Sequence, residues 1–198
     1  MPENLIVNLR YVFQAQFAER TADGEAMFQN VKINSIYDPD GQLGGGQPWG
    51  SDQLRAMYNR YLVEDASVVV EWQPFQVRGG DMKLIRGGLF YSDGVGTSTT
   101  NTPAEIKAQG QGTQAVIPAE LGKRQFLKWS RANYTKENFA PVEEYTSNTA
   151  SDPVHTAYVN IWSSCVDPDI SKLAPAHSCL VTMTQRVRFS ARSLTTEG

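Results

Sequence analysis

Leu5-Ile6-Val7-Asn8-Leu9-Arg10-Tyr11-Val12-Phe13-Gln14-Ala15-Gln16-Phe17 puts Leu5, Val7, Leu9, Tyr11, Phe13, Ala15 and Phe17 on one phase of two, with Asn8, Arg10, Gln14 and Gln16 on the other. Successive side chains of an extended chain point to opposite faces, so this period describes a long strand with one buried side. The same alternation returns near the other end. There Val181, Met183, Val187, Phe189 and Ala191 alternate with Thr182, Thr184, Arg186, Arg188, Ser190 and Arg192. Two long half-buried strands at opposite ends of a chain are expected to pair.

Between them the sequence predicts shorter strands over Met27 to Ile33, Val68 to Val77, Leu84 to Tyr91, Gln114 to Ile117, Arg124 to Arg131 and Ala157 to Trp162. Val, Thr and aromatic residues recur in most of them. The apolar phase slips by one after Trp72, at Pro74, which lacks a ladder donor; a bend or sheet edge is expected there. One stretch has a helical period: Leu54, Met57, Tyr58, Tyr61 and Leu62, with Ser51 or Asp52 as N-cap. About eight strands, one short helix and long connections near 34–50, 92–113 and 132–154 make an all-β, double-sheet sandwich. An eight-stranded jelly roll is the leading topology, as a single domain over 1–198.

Composition narrows the function. The 198 residues are 40% hydrophobic, enough for a real core. Lys and Arg number 18 against 21 Asp and Glu, a formal charge of −3, so the basic block of a free-standing nucleic-acid binder is missing. No uncharged apolar run is long enough to span a bilayer, and no signal peptide is visible. Cys165 and Cys179 are too few for a disulfide scaffold or a four-thiolate zinc site. They read as reduced thiols, with one bridge left open if their strands are neighbours.

Catalytic chemistry has little to work with. His155 and His177 form no metal pair and read as loop histidines beside the penultimate strand, and no nucleophile elbow is present. Gly44-Gly45-Gly46 is not followed by Gly-Lys-Ser/Thr, so it reads as a flexible connection rather than a phosphate loop. Asp38-Pro39-Asp40 and Asp167-Pro168-Asp169 place carboxylates on rigid turns that read first as ordinary Asx turns, with a hard cation as the alternative. No enzyme, cofactor or metal is expected. Arg186, Arg188 and Arg192 share one polar strand face and Arg10 holds the matching face of the first strand, so pairing would gather them. Lys123, Arg124, Lys128 and Arg131 form a second basic group. A solvated strand face is the plain alternative for both.

Asn34-Ser35-Ile36-Tyr37-Asp38-Pro39-Asp40-Gly41, then Gly45-Gly46-Gln47-Pro48, then Tyr58-Asn59-Arg60-Tyr61-Leu62-Val63 resembles the capsid proteins of circoviruses and related Rep-encoding circular single-stranded DNA viruses. The specific part spans about residues 27–72. The resemblance implies a jelly roll that assembles with itself, sixty copies in the simplest T=1 shell, in the virion. It implies an inward sheet holding the first and last strands, with Arg10, Arg186, Arg188, Arg192 and Lys128 facing a single-stranded DNA genome bound without sequence specificity. The arginine-rich arm usual in that family is not seen before the first strand, which leaves nuclear targeting doubtful and the host receptor unnamed. Four inward arginines on sixty copies supply about 240 charges, against roughly 600 phosphates on the nucleotides that encode this chain alone. Small cations or a missing arm would have to complete neutralisation.

Self-assembly needs contacts, and aromatic residues in polar loops are the candidates: Trp49, Tyr91, Tyr134, Phe139 and Tyr145. The alternative function for the same fold is a lectin-like or other ligand-binding jelly roll, which would keep a concave pocket and remain small in solution.

Overall fold

The computed structural model describes residues 2–18, 20–21, 26–40, 46–77, 84–92, 112–133, 142–166 and 173–192. Strand β1 (Leu5–Phe17) pairs antiparallel with β11 (His177–Arg192) along its whole length, Leu5 opposite Phe189 and Phe17 opposite His177. The other side of β11 pairs with β4 (Tyr58–Trp72), which pairs in turn with β7 (Lys123–Ser130). Short β8 (Thr146–Asn148) also joins β4. The second sheet runs β3 (Met27–Lys32), β9 (Tyr158–Cys165), β5 (Leu84–Ser92), β6 (Gly112–Pro118) in spatial order. Four long strands in each layer, with the chain passing back and forth between orders β1-β11-β4-β7 and β3-β9-β5-β6, make a jelly roll. A small ladder of β2 (Arg20–Thr21) and β10 (Leu173–Ala174) sits beside them.

The inner phase of each strand fills the space between the layers. Leu9, Tyr11, Ala15 and Phe17 of β1, Val181, Met183, Val187 and Phe189 of β11, and Val63, Val68, Val70 and Trp72 of β4 meet Val31, Ile85, Leu89, Val159 and Ile161 of the second sheet. Burial of such apolar area is the dominant favourable contribution to folding, at about 25 cal/mol per Å². Three polar side chains also cross the layer. Gln125 of β7 accepts the Trp72 indole N–H at 2.8 Å and donates through Nε2 to the Gly87 carbonyl of β5 at 3.4 Å, linking the first sheet to the second. Gln185 Nε2 donates to the Ile33 and Ser35 carbonyls at 2.9 and 2.8 Å, pinning the turn after β3 onto β11. His177 contacts the Pro175 carbonyl through Nδ1 at 2.8 Å and the Ser163 hydroxyl of β9 through Nε2 at 2.7 Å. A carbonyl can only accept, so Nδ1 carries the proton and the neutral ring accepts at Nε2.

Three expectations need correction. The helical period at 54–62 is realised only in part: α1 covers Ser51–Met57, and Tyr58 already has extended backbone, φ −130° and ψ 143°. Tyr61 and Val63 instead enter the core from β4, because the ladder to β11 supplies partners that a longer helix would forgo. The helix is capped by Gly50 at φ +84°, a left-handed conformation that favours glycine, and Ser51 lies inside the first turn. The strand expected over Val68–Val77 instead runs Tyr58–Trp72, starting earlier because α1 ends at Met57 and stopping two residues before Pro74, which lacks a ladder donor. His177 is a strand residue in the core, not a loop residue; its ring stacks on Phe17 at 5.0 Å and lies 6.0 Å from Trp72 and 5.8 Å from Phe75.

Consecutive glycines of β5 let aromatic rings lie on both faces of one strand. Gly87 faces Trp72 and Ile117, and a Cβ there would meet each at 2.7 Å. Gly88 faces outward beneath Trp162, whose Nε1 a Cβ would meet at 2.7 Å, and it also abuts the Thr113 carbonyl. Trp162 belongs to a separate buried cluster with Ala26, Phe28 and Phe90 on the outer side of this sheet.

Gly88→Val therefore overpacks the sheet and lowers stability by about 1–3 kcal/mol, seen as a drop of several degrees in Tm by calorimetry. Burial holds the His177 pKa below its ordinary 6.5, the Pro175 carbonyl opposing that only in part. A depressed folded-state pKa gives stability that is complete above the unfolded value and is lost as pH falls below it. Tm should fall between pH 7.5 and the acid side of 6.5, with a shallower slope in His177→Gln; equal slopes in the two proteins would refute the assignment.

Candidate nucleic-acid interface

The outer face of the β1-β11-β4-β7 sheet carries the polar phase of four strands. Pairing places Arg10 opposite Thr184, Asn8 opposite Arg186 and Ile6 opposite Arg188. On the far side of β11, Arg186 stands opposite Asp65, and Ser67 of β4 opposite Lys128 of β7. Asn8, Thr184, Arg186, Asp65, Ser67 and Lys128 line a concavity of about 540 Å³ that crosses all four strands, with Arg10 and Arg188 on the same face outside its lining. Its lining combines the polar Asn8, Ser67, Ser130, Asn133 and Thr184 with the apolar Ala66 and Trp129, and its charged members are Arg186, Lys128 and Asp65. Hydroxyls and amides flanked by cations suit a phosphate-bearing chain without distinguishing bases.

A bulge in β4 shapes the charge. Arg186 pairs with Asp65 but the next residue, Val187, pairs with Val63, so Glu64 has no residue opposite it. The extra residue brings two successive carboxylates to the guanidiniums. Arg188 Nη2 is ion-paired with Glu64 Oε1, Arg186 Nε lies 3.7 Å from Glu64 Oε2, and Arg186 Nη1 lies 3.7 Å from Asp65 Oδ2. Only 15% of the Glu64 side chain is exposed, against 52% and 48% for Arg186 and Arg188. Farther along, Arg124 lies 3.7 Å from Glu71. Among the described residues, Arg10 and Lys128 have no ion-pair partner. Phe126, between Arg124 and Lys128 on β7, is 56% exposed on the same face.

Arg10, Arg186, Arg188 and Lys128 are thus brought to one face of one sheet. Arg192 ends β11 opposite Tyr58, at the far margin of that sheet. Glu64, Asp65 and Phe126 were missed in the sequence. A signal for the first two was present: the inward phase of β4 is Tyr61 and Val63, then Ala66, Val68, Val70 and Trp72, a change of parity across Glu64-Asp65. The contact candidates divide. Trp49 is 93% exposed on the turn before α1, and Tyr91 is half-buried against the core. Tyr145 is a correction: at 1% exposure it is a core residue, its ring 5.4 Å from that of His155, so it presents nothing to a second molecule. It closes a single helical turn, α2 (Val142–Tyr145). Tyr134 and Phe139 lie outside the described residues.

The loop after β3 is held by a buried polar network. Asp40 accepts the Tyr11 hydroxyl at 2.5 Å, Lys32 pairs with Asp152 at 2.7 Å, and Ser35 donates to Asp152 at 2.6 Å. Asp38 takes φ +53°, and its carboxyl pKa is raised by a hydrogen bond with Asp40, by desolvation and by the charges of Asp40 and Asp152, against the lowering effect of Lys32. Burial raises the Tyr61 hydroxyl to about 12 as it donates to the Ser151 carbonyl. The network is internal and anchors the turn; among the described residues there is no group of three or more His, Cys, Asp or Glu side chains arranged for a metal ion. Asp167-Pro168-Asp169 lies outside the described residues. Cys179 is a free thiol, buried and raised to about 12 by that burial.

No family model and no curated protein matches the sequence. Solved structures do. The 60-mer of BFDV capsid protein aligns over 100% of both chains at 13% identity with a TM-score of 0.51. The semi-empty virus-like particle of the giant freshwater prawn Macrobrachium rosenbergii nodavirus covers 96% of this chain and 95% of its own, at 11% identity and 0.50. Mud crab tombus-like virus covers 98% and 92%, at 13% identity and 0.50. At these identities the likeness is one of fold: this chain has the jelly roll that viral capsid proteins use.

The patch makes its own prediction about stability. Arg188→Gln leaves a mostly covered Glu64 with only the more distant Arg186, whereas Arg10→Gln breaks no ion pair. Urea unfolding should show Arg188→Gln less stable by about 0.5–1 kcal/mol and Arg10→Gln unchanged.

Proposed function

We propose that the chain is a viral structural protein, 1–198 forming one capsid domain, that assembles with copies of itself into a small icosahedral shell around nucleic acid. The finer reading is a circovirus-like T=1 particle of sixty copies enclosing circular single-stranded DNA. It has no catalytic role and resides in the virion. The observation that carries the reading is the pairing of a capsid-type jelly roll with a concave face that crosses the β1-β11-β4-β7 sheet and has Arg186 and Lys128 in its lining. The run from Asn34 to Val63 and the full-length fold match to a 60-mer capsid protein support it.

In this reading Arg10, Arg186, Arg188, Arg192 and Lys128 face the genome and neutralise phosphates without reading bases, while Phe126 offers a stacking surface. Exposed apolar side chains on the turns make contacts between copies. Trp49 leads them, with Leu121 and Val154 exposed at 81% and 87%. Repetition of modest contacts about symmetry axes closes the shell.

Electron microscopy and light scattering of the purified chain under assembly conditions should show uniform small particles. A chain that stays monomeric across those conditions would overturn the capsid reading. Trp49→Ala should shift material from particles to free subunits without changing Tm. Arg186→Gln with Arg188→Gln should keep the particles and lower their nucleic-acid absorbance; particles with unchanged content would return that face to an ordinary solvated surface.

A further inference from the structure

The cations on the outer face of the β1-β11-β4-β7 sheet are not equally available. Lys128 and Arg10 stand without ion-pair partners among the described residues, while Arg186 and Arg188 are shared with Glu64 and Asp65. The arrangement is built into the backbone. Pairing slips by one residue between Arg186 and Val187, and the residue left over is Glu64, held at 15% side-chain exposure between the two guanidiniums. An ordinary cross-strand pair would set one carboxylate against one cation; the bulge supplies a second. Asp65 and Arg186 line the concavity with Lys128, so a phosphate entering there meets one free ammonium and one guanidinium already engaged.

We propose that Glu64 and Asp65 act as a resident counter-anion that competes with nucleic-acid phosphates for Arg186 and Arg188, keeping the face's hold on a polyanion weak and reversible. The inference rests on the reading that this face meets nucleic acid. The physical reason is local concentration. A tethered carboxylate is always present beside the guanidinium, whereas each phosphate must displace it and leave Glu64, largely covered, without its partner. In solution the face then behaves as one with fewer cations than its sequence contains. Removing the two carboxylate charges should release two guanidiniums for phosphate contact.

The test is fluorescence anisotropy of a labelled 20-nucleotide oligo-dT with the full chain, titrated from about 50 to 200 mM salt. Each phosphate newly neutralised on a single strand steepens the dependence of log K on log salt by about 0.7, so Glu64→Gln with Asp65→Asn should steepen it by about 1.4. Binding at the lowest salt should tighten by about ten-fold or more. Asp65→Asn alone, at an exposed position, should give a smaller change of the same sign, and it carries the test should Glu64→Gln fail to fold. Unchanged affinity and slope in the carboxamide variants, while Arg186→Gln with Arg188→Gln weakens binding, would overturn the counter-anion and leave the nucleic-acid face standing. No oligo-dT binding by the wild type or by any variant would overturn both.

Discussion

The register of β11 is the constraint on which the rest depends. This strand is paired on both sides, with β1 and with β4, and its two phases could hardly differ more: Val181, Met183, Val187 and Phe189 on one, Arg186 and Arg188 among the other. A slip of one residue would exchange them. Guanidiniums would enter a layer whose aliphatic lining offers them no partner, and four large apolar side chains would reach water. The penalty for the wrong register falls on every residue of the strand at once, so β11 acts as a ruler for the sheet. The positions of β1, β4 and β7 follow from it, and with them the concavity that crosses all four.

The bulge at Glu64 is compatible with that ruler because it is confined to β4. Below it Tyr61 and Val63 face inward; above it Ala66, Val68, Val70 and Trp72 do. One additional residue lets both segments keep their apolar faces in the core. The by-product is electrostatic: a carboxylate pair delivered to the one place on the sheet where two arginines lie two residues apart. Backbone pairing, and not an affinity between side chains seeking each other in solution, decides which cations are free.

Between the layers, a few buried polar groups fix how the sheets sit on each other. Gln185 holds the turn after β3, Gln125 reaches the Gly87 carbonyl of β5, and His177 reaches Ser163 across the core. Apolar packing tolerates small shifts of one layer over another, whereas a hydrogen bond left unmade in the interior is costly. None of these three links was legible beforehand. A glutamine in the inward phase of a strand reads as an interruption, and a histidine between two predicted strands reads as loop, until the partner from a distant strand is known. The helix failed in the same way: Leu54, Met57, Tyr58, Tyr61 and Leu62 satisfy a helical period, and only the ladder to β11 makes Tyr58 onward a strand.

What the sequence determined by itself was the strand content, the burial phase of β1 and β11, and the likelihood of a cationic face should those strands pair; these are local periodicities, set by steric alternation and the cost of wetting apolar side chains. What only the tertiary structure decided was partnership. It brought Lys128 and Arg186 to one concavity, set Glu64 against two guanidiniums, withdrew Tyr145 into the core and left Trp49 in solvent. Each of these depends on chain segments tens to more than a hundred residues apart meeting in space. The pattern along one strand carries no information about which strand will lie next to it, so a residue's chemistry can be read from sequence but its neighbours cannot.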